Sequence, residues 1–354
     1  MRISYKKESK IKSKLIAWYD RNKRDLPWRK LNKNKKHNPF YIFVSEFMLQ
    51  QTTVNTVSSK FNIFIKKWPN INKLSSINEN QILKFWSGLG YYRRAKNLLK
   101  SVKIISKNFN NKIPEKYNEL ITLPGVGDYT AKAILGIAYN LPYMPIDTNV
   151  KRLLCRIYGL RKPINEIEYD INSLAQLYKS KNKSSKLIQS FMDYGSIICL
   201  PRNPKCSECI IANLCIANKK KITSLIPNKK KANFFKTIKY TRAYIVLNNL
   251  NEILFRKRSE VGMLPSMLEI PNDSWVRVKK HLVMDPSVRF LRKKFIKSST
   301  IIYSFSHFDL QIEIFFTKLR KKKIDSHKWI ALKDIAAFEV PTVMKKIIKS
   351  IEFN

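Results

Sequence analysis

Apolar side chains recur every three or four positions between Lys10 and Leu200, as they do along one face of a helix. The spacing is clearest in two sets, Ile11, Leu15 and Trp18, and Leu98, Val102 and Ile105. Proline and glycine interrupt the pattern at short intervals, which limits the length of each helix. We therefore predict that the first part of the chain is a compact domain of many short helices.

The pattern changes after Lys236, where apolar and polar side chains begin to alternate. Two such runs, Tyr240 to Leu247 and Leu250 to Arg256, flank an Asn-Asn turn, which predicts a β-hairpin. Leu310 to Phe316 alternates in the same way and predicts a further strand. Val343 to Phe353 has the spacing of a closing helix. The second part is therefore expected to be a smaller α+β domain.

A basic stretch with few apolar residues separates the two patterns. It contains Lys219 to Lys221, Pro227, and Lys229 to Lys231. Such a composition is typical of a linker. We therefore predict a helical domain over residues 1–218, a basic linker over 219–236 and an α+β domain over 237–354.

The charge balance points to a polyanionic partner. The 354 residues include 69 Lys and Arg against 25 Asp and Glu, a formal net charge of +44. Nucleic acid is the first such partner and an anionic membrane the second, but Lys is abundant along the whole chain, so charge alone is weak support. No apolar run approaches the roughly 18–20 residues that span a bilayer. Met1 to Lys14 lacks the apolar core of a signal peptide, and we expect a soluble, cytoplasmic protein.

Four of the five cysteines lie close together in the sequence. Cys199, Cys206, Cys209 and Cys215 have the spacing C-x6-C-x2-C-x5-C. In a cytoplasmic chain, such a cluster predicts metal ligation rather than disulfides. Four thiolates at short range hold either a tetrahedral zinc ion or a [4Fe–4S] cluster, and the spacing alone leaves both open.

A turn with two glycines lies between two helical patterns, in Leu123 to Ala131. Gly125 and Gly127 permit a tight turn and leave backbone N–H groups uncovered. The helix that follows presents its N-terminus, which favours a phosphate. Two interpretations stay open here, a phosphate site and an ordinary turn between helices.

Two carboxyl groups are candidates for chemistry. Glu46 lies in the apolar stretch from Phe40 to Thr52, where a carboxylate is costly unless it is paired, exposed at a groove or protonated. A protonated Glu46 with a raised pKa could donate its proton; the alternative is a salt bridge. Asp147 precedes the helical stretch Val150 to Ile157 as an N-cap, which is expected to keep its pKa low and its carboxylate ionised.

These features resemble those of known DNA-repair proteins. The turn in Leu123 to Ala131 and the cysteine spacing resemble the endonuclease III superfamily of DNA glycosylases, which also has an aspartate at the place of Asp147. Three motifs closely resemble the MutY family of adenine glycosylases: Leu26 to Arg29, Val44 to Thr52, and Gly88 to Ala95. The resemblance covers nearly the whole chain. It implies an all-α helix-hairpin-helix glycosylase domain with a [4Fe–4S] cluster loop, followed by a smaller α+β Nudix-like domain.

The resemblance implies an adenine-specific DNA glycosylase that acts in base excision repair on adenine opposite 8-oxoguanine or guanine. Glu46 would protonate N7 of the flipped adenine and Asp147 would stabilise the cationic sugar, the division of labour seen in glycoside hydrolysis. Bifunctional relatives carry a lysine nucleophile where this chain has Tyr129, and Lys132 lies three residues further on, so we expect monofunctional hydrolysis. Asn149 is expected to order the region around Asp147.

Further positions have expected roles by the same resemblance. Gln51 and Tyr91 would wedge into the base stack. The flipped base would lie near Trp28, Arg29 and Gln189. The expected DNA contacts are Gly125, Val126, Gly127, Arg202 and Lys205. Core packing is the alternative for Tyr91 and Trp28, and simple solvation is the alternative for the two cations of the cysteine loop.

The C-terminal domain is expected to recognise the base opposite adenine. Tyr303 to Phe308 resembles the loop with which the family contacts 8-oxoguanine. The candidate contacts are Phe305, Ser306 and His307, and a simple turn at a strand end is the alternative. No acidic Nudix box is present between Glu252 and Phe290, so we expect no pyrophosphohydrolase chemistry.

Three other functions are compatible with parts of this pattern. Tyr129 argues against an endonuclease III-type glycosylase and lyase for oxidised pyrimidines, and Glu46 argues against a thymine glycosylase, since a pyrimidine has no N7. A non-enzymatic iron–sulfur DNA-binding protein would not need both Glu46 and Asp147. The chain departs from the family pattern at Thr148, which is Gly in most relatives, and at Gly262 to Leu268. The expected partner is double-stranded DNA with A·8-oxoguanine or A·G mispairs, bound by a nucleoid-associated monomer.

Overall fold

A computed structural model describes residues 5–164, 166–228, 236–259, 262–264, 267–289, 291–305, 307–321, 323–338 and 340–351. The chain divides into two compact units. The first unit comprises Met1–Glu79 and Arg94–Ala232, and the second comprises Asn80–Arg93 and Asn233–Asn354. No helix in the described part of the chain is long and apolar enough to cross a membrane.

Helices dominate the first two hundred residues, as predicted. In chain order the helices are α1 (Tyr5–Asn22), α2 (Pro39–Leu49), α3 (Val54–Lys67), α4 (Ile71–Ser75), α5 (Glu79–Trp86), α6 (Arg93–Asn108), α7 (Tyr117–Leu120), α8 (Asp128–Ala138), α9 (Thr148–Tyr158), α10 (Glu168–Gln176), α11 (Ser184–Ile197), α12 (Ile216–Lys219), α13 (Pro286–Arg289) and α14 (Thr342–Lys349). The periodic apolar positions are buried: Ile11 and Leu15 in α1, and Leu98, Val102 and Ile105 in α6, have no exposed surface.

Local sequence explains how α2 begins and ends. Asn38 caps the helix by accepting a hydrogen bond from the Phe40 N–H at 2.9 Å, and Pro39 occupies the first turn. At the other end, the Arg94 guanidinium donates to the carbonyls of Phe47 and Met48 at 3.1 and 2.8 Å. A cation at a helix C-terminus satisfies carbonyls that have no partner within the helix. Both ends of the helix that carries Glu46 are therefore fixed.

The second unit contains a mixed sheet of six strands: β1 (Thr237–Asn248), β2 (Glu252–Lys257), β3 (Leu268–Glu269), β4 (Ile296–Ser304), β5 (Phe308–Leu319) and β6 (His327–Ala331). The order is β3-β2-β1-β5-β4, and β6 also pairs with β2. β1 and β5 run parallel, with Thr237 opposite Phe308, whereas β1 and β2 form an antiparallel hairpin. The predicted hairpin and the predicted strand at Leu310 to Phe316 are thus confirmed.

Apolar side chains on one face of the sheet pack against α14. Ile245 of β1, Phe255 of β2 and Ile312 of β5 belong to this core, together with Val343 and Ile347 of the helix. The helix has the predicted position but ends at Lys349 rather than Phe353, and Glu352–Asn354 lie outside the described residues. A smaller cluster around Val246 and Leu254 packs on the opposite face.

The predicted basic linker begins too early. The carbonyl of Ile226 accepts a hydrogen bond from Nε of Arg156 at 2.8 Å, and the carbonyl of Asn228 accepts one from the Ile164 N–H at 3.1 Å. These bonds attach residues 219–228 to the helices of the first unit. The many lysines of this segment favoured a linker in the sequence. Composition does not show that its backbone carbonyls bond to the helices. Residues 229–235 of the predicted linker lie outside the described residues.

Candidate active site

Glu46 lies within α2 and its side chain is shielded from solvent, with 7 % exposed. Burial and, to a smaller extent, the Asp147 carboxylate raise the pKa of this carboxyl to about 7, while Arg29 and a hydrogen bond from Tyr129 act in the opposite direction. The hydrogen-bond partner is therefore a tyrosine hydroxyl rather than the cation of a salt bridge. A carboxyl that holds its proton near neutral pH is suited to act as a general acid.

Arg29 is fixed by a buried ion pair with Asp193. Its Nη1 and Nη2 donate to Oδ2 and Oδ1 of Asp193 at 2.7 and 3.0 Å, and Nε of Arg24 donates to the same carboxylate at 2.7 Å. Burial alone would raise the pKa of Asp193, but the hydrogen bonds and charges of Arg29 and Arg24 outweigh it and lower the pKa. Arg29 is thereby held within electrostatic reach of Glu46.

Asp147 caps the N-terminus of α9. Its Oδ1 accepts a hydrogen bond from the Val150 N–H at 2.6 Å, and its Oδ2 accepts one from Nδ2 of Asn149 at 2.9 Å. Asn149 in turn accepts a hydrogen bond from Nη2 of Arg152 at 2.9 Å, which fixes its amide. Asn149 therefore contacts Asp147, in the way expected of a residue that orders this region.

The expectation of a low pKa for Asp147 is wrong. Burial raises its pKa above the ordinary value, although the hydrogen bonds from Val150 and Asn149 act to lower it. The sequence shows the cap but not the surroundings that remove water from it. The Asp147 carboxylate helps to raise the pKa of Glu46, so the charge on Asp147 influences where a proton resides. The hydrogen bonds to Asp147 stabilise its charged form, so the proton of the pair resides on Glu46.

Tyr129 and Lys132 lie on the same helix, α8, with different surroundings. Tyr129 hydrogen-bonds to Glu46, and burial raises its pKa far above the ordinary value, so it stays neutral. Nζ of Lys132 forms an ion pair with Asp128 at 2.7 Å. The Lys132 ammonium is thus paired with a different carboxylate from the one that Tyr129 contacts.

Gln189 and His37 form a buried polar pair in the first unit. Nε2 of Gln189 donates one N–H to Ser185, whose carbonyl and Oγ lie 3.1 and 3.0 Å away, and its other N–H faces Nε2 of His37 at 3.2 Å. Burial and the charge of Arg29 lower the pKa of His37 to about 4, so the ring is neutral at pH 7. Gln189 and Arg29, both expected near the flipped base, therefore lie near a histidine that sequence reasoning missed.

Trp28 packs in the core of the first unit. It is 4 % exposed, and its ring meets that of Phe61 edge-on with the centroids 5.4 Å apart. Trp28 is therefore packed in the core, which was the alternative to a role at the flipped base. A contact between Trp28 and a flipped base stays a prediction.

The hairpin between α7 and α8 has the tight geometry that its glycines predicted. Gly125 has φ +82°, in the left-handed region, and Gly127 caps α8. Oγ of Ser101 donates to the Pro124 carbonyl at 2.8 Å, which attaches the turn to α6. The N–H of Val126 donates to Leu123 at 3.0 Å, so this amide is not available to a phosphate. The N–H groups at the start of α8 are the better candidates.

Gln51 and Tyr91 each have a left-handed backbone, with φ of +54° and +48°. For residues other than glycine this conformation costs roughly 1 kcal/mol or more and is concentrated at functional sites. Tyr91 is 51 % exposed, which excludes the alternative of core packing for its ring. Insertion of either side chain into DNA stays a prediction.

The four clustered cysteines line one cavity, as expected for metal ligands. Nη1 of Arg156 donates to Sγ of Cys199 at 3.3 Å, and the Tyr194 hydroxyl donates to Sγ of Cys209 at 3.2 Å. Among the described residues, no three Cys, His, Asp or Glu side chains are arranged to hold a single metal ion. The four thiols thus lie together, and thiolates are the ligands of both iron–sulfur clusters and zinc.

Arg202 and Lys205 lie on the surface of the cysteine loop. Both side chains are exposed, and Nζ of Lys205 is 3.6 Å from a carboxylate oxygen of Glu208. An exposed ion pair of this length contributes little to stability. A contact of these cations with phosphate stays a prediction.

The loop that was expected to contact 8-oxoguanine joins β4 and β5. The Phe305 N–H donates to the Phe308 carbonyl at 2.9 Å, which closes a tight turn, and the two rings stack with centroids 4.9 Å apart. Trp275 packs against Phe305 at 5.4 Å. His307 is exposed at the tip, and Ser306 lies outside the described residues. The loop is therefore a tight turn that exposes His307 above a cluster of packed aromatic side chains.

Sequence reasoning missed Asp193 and His37 in this region. Asp193 lies four residues after Gln189 on α11, a spacing that places both on one helix face. His37 directly precedes Asn38, which caps the helix of Glu46. Each had a positional signal, but the interpretation required the partner, which comes from a distant part of the chain.

Comparison with protein-family models gives three matches. Residues 44–177 match the HhH-GPD superfamily of base excision DNA repair proteins. Residues 199–215 match the iron–sulfur binding domain of endonuclease III. Residues 242–350 match a NUDIX domain. The fold class predicted from the sequence and the presence of an iron–sulfur cluster are confirmed.

Individual proteins and solved structures also match this chain. The chain is 33 % identical over 343 residues to an adenine DNA glycosylase of Buchnera aphidicola subsp. Schizaphis graminum, covering 95 % of this chain and 96 % of that one. A thermostable thymine-DNA glycosylase structure is 25 % identical with a TM-score of 0.54, covering 61 % of this chain and 98 % of that one. An endonuclease III–DNA complex, 20 % identical, has a TM-score of 0.51 and covers 62 % of this chain and 99 % of that one, which supports the fold.

Proposed function

This chain belongs to the adenine DNA glycosylase family, and we propose that it excises adenine opposite 8-oxoguanine or guanine by monofunctional hydrolysis. The observation that carries the proposal is the buried Glu46 carboxyl, whose pKa of about 7 keeps it protonated in a large fraction of molecules at neutral pH. An acid of this kind is useful for a purine leaving group, which has a ring nitrogen to protonate.

The reaction follows from the two carboxyls. Glu46 donates its proton to N7, the C1′–N9 bond breaks, and its electron pair leaves with a neutral adenine. The sugar becomes cationic, and the Asp147 carboxylate stabilises it. Water adds to C1′ and releases a proton, so the abasic site and free adenine are the products. Glu46 regains its proton from solvent.

Monofunctional chemistry is supported by the surroundings of Tyr129 and Lys132. Tyr129 occupies the position where bifunctional relatives hold a lysine, and its hydroxyl is engaged with Glu46. The Lys132 ammonium is bound to Asp128. An amine nucleophile must approach the sugar as a free base, whereas the Lys132 ammonium is paired with a carboxylate. We therefore expect no covalent intermediate.

Recognition of the opposite base is assigned to the loop between β4 and β5. Exposed His307 and the stacked rings of Phe305 and Phe308 offer hydrogen-bonding and apolar contacts to an oxidised purine. Excision of an undamaged adenine is selective only if its partner base is recognised. Lys239 and Arg258 lie over Phe308 and Trp275 at 4.4 and 4.9 Å, which adds positive charge near this loop.

We also propose that the iron–sulfur cluster is of the [4Fe–4S] type, held by Cys199, Cys206, Cys209 and Cys215. Such a cluster supplies a rigid frame for the loop of Arg202 and Lys205 rather than a step in the hydrolysis. About four irons per chain and a brown colour are expected for protein prepared without oxygen. Stoichiometric zinc in place of iron would contradict this assignment.

The decisive experiment measures single-turnover base release from duplexes with adenine opposite 8-oxoguanine, guanine or thymine. We expect fast release opposite 8-oxoguanine, slower release opposite guanine and almost none opposite thymine. Strand cleavage should require alkali, and borohydride should trap no protein–DNA adduct. Release of thymine from a G·T duplex, of oxidised pyrimidines, or efficient borohydride trapping would instead support one of the rival glycosylases.

A further inference from the structure

Two polar atoms of the pair formed by Gln189 and His37 have no hydrogen-bond partner. They are Oε1 of Gln189 and Nδ1 of His37, and both are shielded from solvent within the described residues. Leaving a buried donor or acceptor unpaired costs roughly 1–3 kcal/mol. The mechanism described above uses neither atom. A ligand that satisfies both would recover this cost.

The orientation of the Gln189 amide follows from its neighbours. The Ser185 carbonyl can only accept a hydrogen bond, so the amide atom 3.1 Å from it must be the nitrogen. The amide oxygen, which is the unpaired atom, therefore points away from Ser185. Gln189 offers one free acceptor.

The tautomer of His37 follows from the same bond. Nε2 of His37 faces the Gln189 NH₂ group at 3.2 Å and must accept from it. A neutral imidazole has one protonated nitrogen, which is then Nδ1. The ring is neutral at pH 7 because burial and Arg29 lower its pKa to about 4. His37 therefore offers one free donor, on a ring that is hydrogen-bonded through Nε2 to the amide nitrogen of Gln189.

We propose that His37 and Gln189 together recognise the edge of the flipped base that carries N6 and N1 of adenine. In this arrangement Oε1 of Gln189 accepts from the 6-amino group and the Nδ1–H of His37 donates to N1. Adenine presents a donor next to an acceptor on this edge. N7 stays free for Glu46. The inference rests on the proposed excision of adenine and adds His37 to the residues that determine its specificity.

The same pair would reject guanine and hypoxanthine. These bases present an acceptor at position 6 and a donor at N1, the reverse of adenine. Each would place an oxygen against Oε1 of Gln189 and an N–H against the Nδ1–H of His37. A site built for one hydrogen-bond pattern discriminates strongly because the wrong base leaves its own groups unpaired.

The position of His37 in the fold is compatible with entry of a base. It ends a loop closed by a β-bridge between Leu31 and His37, and residues 31–36 are all exposed. Asn32 Oδ1 accepts from the Lys36 N–H at 3.0 Å, so the loop is short and internally bonded. Residues 31–36 bury little surface, so displacement of this loop would uncover the pair without breaking into the core. The charge of Arg29 acts on both His37 and Glu46, so the His37–Gln189 pair and the acid lie around the same arginine.

The test compares excision of adenine with that of 1-deazaadenine, which lacks N1 but keeps the 6-amino group and N7. Both bases are placed opposite 8-oxoguanine, and rates are single-turnover rates at saturating protein. His37→Phe removes the donor and keeps an aromatic ring, while His37→Asn keeps an N–H near the position of Nδ1. His281→Phe makes the same change at an exposed histidine of the second unit and serves as the matched control.

We expect His37→Phe to slow adenine excision by about tenfold or more, and 1-deazaadenine excision by less than about twofold. His37→Asn should recover most of the adenine rate, and His281→Phe should match the unaltered protein on both bases. Hypoxanthine excision should rise relative to adenine in His37→Phe. Affinity for the duplex should change little, because the phosphate contacts lie elsewhere.

Two outcomes would overturn the inference. An equal loss on both bases would mean that His37 only positions Gln189, and an unchanged rate on adenine would remove His37 from the site altogether. If His37→Phe lowers the unfolding midpoint strongly, His37→Ala repeats the comparison without the bulk. Failure of the unaltered protein to release adenine from any mispair would instead refute the proposed function, so the two failures are distinguishable.

Discussion

At the scale of the residue, the surroundings of Glu46 make a sharp prediction. Glu46→Gln removes the transferable proton but preserves the shape of the side chain. We expect the single-turnover rate to fall by about 10²–10⁴ or more, the contribution typical of a general acid, with DNA affinity within about tenfold. A quench assay of base release and a fluorescence titration of the duplex provide the two numbers. A near-normal rate would leave Glu46 with a structural role only.

The raised pKa of Glu46 also predicts how the rate depends on pH. The acid acts in its protonated form, so the single-turnover rate should be level below pH 7 and fall about tenfold per unit above it. Because the folded state holds a proton that the unfolded state releases near its ordinary pKa of 4.5, the free energy of unfolding should fall as pH rises from there to about 7. Glu46→Gln should flatten the decline in stability across this window. A pH–rate profile without a break near 7 would contradict the assignment.

The residue scale also shows what a sequence reveals of a site. Glu46 could be identified because a single carboxyl in an apolar helix is anomalous by itself. Asp147 could be identified as a cap, but its raised pKa depends on water excluded by distant residues. His37 looked like one polar residue in a basic loop, since its significance arises only from Gln189, 152 positions away. Groups that act in pairs from distant segments are invisible until the fold joins them.

At the scale of the element, the two glycines of the hairpin differ in how much space surrounds them and in their backbone conformation. A Cβ at Gly125 would lie 2.9 Å from Cε1 of Phe47 and from Cβ of Asn97, and the backbone there is left-handed. Gly125→Ala should therefore lower the free energy of unfolding by about 1–3 kcal/mol, from strain and overpacking. Denaturant unfolding followed by circular dichroism measures this change.

Gly127 is the matched control for that change. A Cβ there meets nothing within 4 Å, and its φ of −99° is open to any residue. Gly127→Ala should keep stability within about 0.5 kcal/mol yet weaken DNA binding, because the methyl group would stand where a phosphate approaches the N-terminus of α8. Unchanged affinity in Gly127→Ala would favour an ordinary turn over a phosphate site.

Element types were easier to predict than their pairing. The β1–β2 hairpin and β5 were evident from alternation, but β4 (Ile296–Ser304) was missed. None of its residues is fully buried, and Ile296 and Ile302 are 68 % and 59 % exposed, so it lacks the contrast between faces that marks a strand. The parallel pairing of β1 with β5 joins segments about seventy residues apart. Such pairing is decided by the shared core with α14, which no local pattern encodes.

At the scale of the whole molecule, the division of labour between the units is testable by truncation. A protein that ends at residue 232 keeps both carboxyls, the hairpin and the cysteines, and it keeps Asn228, which bonds to the first unit. We expect it to release adenine but to lose most of its preference for 8-oxoguanine over guanine as the opposite base. Single-turnover rates on the two duplexes measure the preference.

The full-length variant His307→Ala is the companion to this truncation. Loss of one hydrogen bond is worth about 0.5–1.5 kcal/mol, so the preference should drop by roughly two- to tenfold. Asp309→Asn, in the adjacent strand β5, leaves the histidine in place and controls for general disturbance of the loop. An equal preference in the truncated and complete proteins would assign recognition of the opposite base to the first unit alone.

The contact between the hairpin and α2 relates the proposed phosphate position to the position of the acid. Phe47 adjoins Glu46 and packs against Gly125, while Nε2 of Gln50 donates to the Gly125 carbonyl at 3.3 Å. The hairpin proposed to hold a phosphate therefore packs directly against the helix that holds the acid. Because this contact sets the distance from the phosphate position to the acid, we expect the protein to require a particular length of nucleotide between the two. A strand with a lengthened or shortened backbone could be bound at its phosphate and still present N7 out of reach of the proton.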